Sequence, residues 1–192
     1  MMTGMNTETC DPAESAALRA IFASRPEAAP PAGWEAVRAF EARHGIVLPE
    51  PYRTFVAEIC DGLRAGPPYY GLLPFAETPR DWSPYFAERL PAEPFPLTAA
   101  WLWEEEEEEA PSAQEFEARQ DSVFEHGSLL LGTDGCGMYW ALIVTGPQRG
   151  HIWMIDENGA IPFGTSLMPG TPGFTGWVTH WAEGRSWFGD DA

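Results

Sequence analysis

Lysine is absent from this chain. All 11 basic residues are arginine, set against 29 acidic ones, and the formal net charge is −18. Phosphate backbones and anionic bilayers are neutralised by clustered cations, so the charge argues against direct nucleic-acid binding and against an acidic membrane surface. Long apolar runs are missing too: nothing approaches the ~20 residues a spanning helix needs. The opening MMTGMNTETCDPAE has no basic stretch leading into an apolar one, so no secretory signal is read there and a cytoplasmic location is expected. Cysteine is scarce. Cys10, Cys60 and Cys136 are odd in number and widely spaced, the pattern of reduced thiols rather than of a disulfide framework. There is no nucleophile elbow, no phosphate loop and no short ligand spacing among the histidines and cysteines, so neither a metal nor a cofactor is expected.

What is present is apolar and aromatic. Hydrophobic residues make up 44 % of the 192 positions, with nine Trp and eleven Phe. That suffices for one hydrophobic core, hence a single domain, and leaves rings over for a surface. A strong field of one sign speeds encounter with the opposite sign, so a basic protein partner is the natural complement. The same charge mildly favours a monomer.

Residues 1–33 read as an N-terminal extension: a polar start, a short helix over Glu14–Ser24, and a Pro/Ala linker from Pro26 to Gly33. Trp34–His44 is an amphipathic helix with Trp34, Val37 and Phe40 on one face and Gly45 in the cap position. After Ile46-Val47-Leu48-Pro49, a second helix carries Tyr52, Phe55, Val56 and Ile59 at helical spacing and stops at Gly62. Together they form a helical hairpin whose apolar faces need a sheet to cover. Pro67–Phe75 suggests a first strand. Residues 76–100 are irregular, with one short helix around Tyr85–Leu90, and 114–126 are weakly helical. From Gly127 to Phe163 the sequence reads as a glycine-punctuated meander of three strands with a hairpin signal at Asn158-Gly159. Phe174, Trp177, Val178 and Trp181 mark a closing helix ended by Gly184, and 185–192 is an acidic tail. The expected architecture is α+β: one domain over 34–184, an antiparallel sheet of about four to six strands flanked by helices.

The run Phe40–Gly62 resembles the opening signature of the Smi1/Knr4 family, the SUKH superfamily. Its marks are Gly45, Leu48-Pro49, Tyr52, Phe55 and Asp61-Gly62. The cluster Gly132, Asp134, Gly135 and Gly137, the strand bearing Trp153, and the helix bearing Trp177 are similar to the bacterial branch. Met138 stands where many members carry an acidic residue. The resemblance implies a non-catalytic α+β protein. In the bacterial branch it implies an immunity protein that silences a nuclease- or deaminase-type toxin; in the fungal branch, a regulatory scaffold of cell-wall synthesis.

Four constellations compete for a role. Glu104, Glu105, Glu106, Glu107, Glu108 and Glu109, in an acidic insert near 101–115, form either a nucleic-acid mimic for a basic cleft or a solvated, solubilising loop. Trp101, Trp103 and Tyr70 are the candidate anchors beside them. The rings of Tyr69, Tyr70, Trp82, Tyr85 and Phe86 divide between core and exposed patch. Cys136, His151 and Asp134 offer the residue types of a nucleophilic site, against the reading of a small residue in a tight turn and a histidine at a strand edge. For Gly132–Gly137 a tight turn, with Asp134 bonding its own backbone, outweighs a phosphate loop.

Overall fold

The computed structural model describes residues 9–80, 89–103 and 112–188. Among these, five helices and five strands form the α+β fold expected: α1 (Pro12–Ala23), α2 (Trp34–His44), α3 (Tyr52–Glu58), β1 (Trp101–Leu102), α4 (Ala113–Glu125), β2 (Ser128–Gly135), β3 (Met138–Ile143), β4 (Ile152–Ile155), β5 (Gly159–Pro162) and α5 (Phe174–Ala182). The strands make one antiparallel sheet in the order β1-β5-β4-β3-β2.

Both faces of this sheet are covered, and the period-2 alternation of β3 shows it. Trp140, Leu142 and the following Val144 enter one core; Tyr139, Ala141 and Ile143 enter the other. In β4, Ile152 and Met154 face the first core and Trp153 and Ile155 the second. A strand buried on both sides reads as a continuous apolar run, which is why MYWALI and IWMI show no polar alternation. The first core is closed by α1, α2, α3 and α5. Phe55 is its junction, with ring centroids 4.8 Å from Phe22 of α1 and 4.9 Å from Phe174 of α5. The second is closed by α4, through Val123 and Phe124, and by Phe95 and Leu97.

Local chemistry sets the helix ends. Asp11 accepts from the Ala13 N–H at 2.8 Å and Pro12 opens α1. At α4 the Ser112 hydroxyl accepts from the Glu115 N–H and donates to the Glu115 carboxylate at 2.7 Å, a reciprocal cap. Gly45, in the left-handed conformation, ends α2. Glu41, buried on α2, then ties down the turn into α3. Its carboxylate accepts from the Leu48 N–H (2.9 Å) and from two guanidinium nitrogens of Arg53 (2.7 and 2.9 Å). Arg53 is held in its charged form by that bond to Glu41.

Four expectations are corrected. Pro67–Phe75 is not a strand: Pro67 and Pro68 have no N–H for a ladder, and only Leu72 forms a bridge, with Leu63. The Gly127–Phe163 meander holds four strands, because the glycine cluster splits its first apolar run into β2 and β3. Trp101-Leu102 is an edge strand of the sheet. Finally, α1 is part of the fold and no mere extension, since Leu18 and Phe22 are buried in the first core. The helix expected around Tyr85–Leu90 falls largely, and the glutamate run wholly, outside the described residues.

Candidate partner-binding surface

Strand directions bring several turns to one end of the sheet. Gly135 pairs with Met138, leaving Cys136-Gly137 as a two-residue turn with φ of +52° and +77°, the signature of a tight hairpin. Tyr139 pairs with Ile155, so the β4–β5 turn opens at the same end. There Asp156 accepts from the N–H groups of Asn158 and Gly159 at 2.8 and 3.0 Å. Trp103 follows β1 to this end as well, its N–H donating to the Asn158 carbonyl and its indole N–H to that of Glu157.

Against the outer edge of β2 lies the segment 68–73. The Leu73 N–H donates to the Leu131 carbonyl and the Tyr70 N–H to that of Thr133, which blunts the sheet edge. Asp134 is the clamp. One carboxylate oxygen accepts from the Tyr69 N–H at 2.7 Å, the other from the Trp140 indole at 2.8 Å. Its partners are thus a distant loop and a core ring, not its own backbone. Two glycines let the segment approach: a Cβ on Gly132 would stand 2.4 Å from Pro68, and one on Gly135 2.7 Å from the Tyr70 ring. The outcome is an aromatic knuckle. Tyr69 and Tyr70 are 78 % and 64 % exposed, with rings packed edge to face 5.1 Å apart. Tyr70, one of the expected anchors, is thus exposed. Tyr69 is exposed as well, because Pro67-Pro68 and Gly71 deny this stretch the alternation that would turn one ring inward.

The other expected anchors are elsewhere. Trp101 and Trp103 are buried in the second core, edge to face with each other at 5.3 Å. Trp101 also meets Phe116 of α4, and Arg119 lies over its ring at 3.8 Å. They fasten α4 to the sheet and, as core side chains, present no anchor to a partner. Glu104–Glu109, like Trp82, Tyr85 and Phe86, lie outside the described residues.

The nucleophilic constellation is not assembled. Cys136 is exposed in the β2–β3 turn, whereas His151 sits beside Ile143 at the far end of β3, with its Nδ1 3.1 Å from the Gln148 carbonyl. A six-residue strand puts them roughly 17 Å apart. Asp134 is committed to Tyr69 and Trp140. Of the remaining thiols, Cys60 is buried, and burial pushes its titration up to about 11.

Residues of the signature serve packing. Leu48, Tyr52, Phe55, Trp153 and Trp177 are buried, the Pro49 carbonyl accepts from the Arg53 N–H, and Gly62 lies against Leu72 and Pro74. Gly137 completes the hairpin turn. Sequence reasoning missed Trp187, in the stretch read as tail. It stacks on Trp177 and His180 and touches Trp140, and an aromatic so soon after Gly184 was its only signal.

Among the described residues no helix is long and apolar enough to cross a membrane. No match was found among curated proteins or solved structures. A family model does match, over residues 31–168, and its description is the SMI1 / KNR4 family (SUKH-1). That span holds the helical hairpin, the tyrosine loop, the clamp at Asp134 and all five strands; the chain belongs to the SMI1/KNR4 family (SUKH-1).

Proposed function

We propose that this chain is a non-catalytic, protein-binding member of its family. In this reading it is an immunity protein of the cytoplasm that neutralises a nuclease- or deaminase-type toxin by covering its active site. It acts as a monomer and without a cofactor. One observation carries the reading: 29 acidic residues face 11 arginines and no lysine. A nuclease or deaminase domain that handles nucleic acid has a basic cleft, and an acidic protein competes for that cleft by charge as well as by shape. Glu104–Glu109 are the densest part of that charge in the sequence. The separation of Cys136 from His151 is consistent with binding rather than turnover.

The test is recovery of the tagged protein from its own host at low and high salt, followed by co-expression of any recovered toxin with and without this chain. A single stoichiometric basic partner, released by salt and harmless only when this protein is present, is the expected result. Recovery of a set of cell-wall or regulatory proteins instead would transfer the assignment to the scaffold branch of the family.

A further inference from the structure

We infer that the Tyr69–Tyr70 knuckle is the seat of an arginine- or lysine-bearing segment of the partner protein, an inference that rests on the protein-binding reading above. Tyrosine side chains at 78 % and 64 % exposure stand out, since among the described residues the other large rings are mostly buried. Their placement is fixed in advance. Asp134 holds the Tyr69 N–H, the Thr133 carbonyl holds the Tyr70 N–H, and the Tyr70 ring rests on Gly135 where any side chain would collide with it. Two prolines precede the pair, so little ordering remains to be done when a partner arrives. Rigid tyrosines of this kind are frequent centres of binding energy.

Charge decides the occupant. The knuckle shares its end of the sheet with Asp134, Asp156 and Glu157. Arg64, an exposed residue whose backbone lies against Gly71, borders the patch. A second copy of this chain brings the same net charge of −18 and is repelled. A cationic side chain, by contrast, finds two exposed aromatic rings set edge to face on a chain of net charge −18.

The probe is a short peptide of alternating Arg and Gly, titrated into the isotopically labelled protein. Affinity is then measured for Tyr69→Ala/Tyr70→Ala, for Tyr69→Phe/Tyr70→Phe, and for Leu167→Ala, which alters an exposed apolar residue outside this loop. Amide shifts should centre on Tyr69, Tyr70 and Gly135. The double alanine variant should bind about five- to thirty-fold more weakly, while the phenylalanine and Leu167 variants stay within about twofold of wild type. Shifts spread over the acidic surface, or a double alanine variant that binds as wild type does, would overturn the inference. Toxin protection is read separately. Peptide binding at the tyrosines without protection sinks the immunity assignment alone; protection by a protein whose tyrosines are indifferent to the peptide sinks only this seat.

Discussion

Glu41 satisfies three donors at once, the Leu48 N–H and two nitrogens of Arg53, in a setting that excludes most water. Removing its charge takes from the guanidinium its hydrogen-bonded counter-ion and leaves only the more weakly acting Glu50, where hydration is poor. Glu41→Gln should therefore lower stability by about 2–3 kcal/mol, read as a lower urea midpoint at unchanged slope. Asp61 runs the opposite way. Burial raises its titration, only partly offset by the hydrogen bond from the Phe75 N–H, and nearby Glu77 adds to the rise. A carboxyl raised on folding favours the fold below its unfolded value, and that stability is lost as pH rises through the folded value. Asp61→Asn should thus leave stability near pH 3 unchanged and raise it at pH 7, which thermal melts at the two pH values would reveal. Neither role was legible. In sequence Glu41 is one more charge beside Arg43, and its partner Arg53 reaches it only after the chain has turned through Leu48-Pro49.

Elements were legible in proportion to their length and periodicity. The helices at 34–44 and 174–182 repeat their apolar residues over several turns, and both lie where that spacing puts them. The start of α4 was written in Ser112-x-x-Glu115, a capping pair just after the glutamate run. A two-residue strand has no period at all, so in sequence Trp101-Leu102-Trp103 reads as the start of the acidic insert. What defines it is nonlocal: pairing with Gly159 and Ala160 and the roof of α4. Trp103→Ala should cost about 3–5 kcal/mol and raise amide exchange in α4 more than in α2, which closes the other core. A loss below about 1 kcal/mol would show the ring to be a surface feature after all. The knuckle at Tyr69–Tyr70 was half legible. Proline and glycine placed the rings off any regular element, but the clamp from Asp134 spans 65 residues of sequence.

For the molecule as a whole, charge acts chiefly on encounter. Changing Glu104–Glu109 to glutamine removes six negative charges. Association with a basic partner should then slow by about tenfold or more at low salt, with dissociation little altered and the dependence on ionic strength flattened. Association rates that do not respond would remove electrostatic steering from the account. The two cores divide the molecule unequally along its sequence. The first is sealed by α1 and α5, through Leu18, Phe22, Phe174, Trp177 and Val178, and all five lie outside the matched span of 31–168. The stretch that the family model matches is therefore smaller than the unit that folds. Excised at those borders, it would present its half of the first core as bare apolar surface and collect into aggregates, so any truncated reagent for this protein has to begin ahead of Asp11 and run past Trp187.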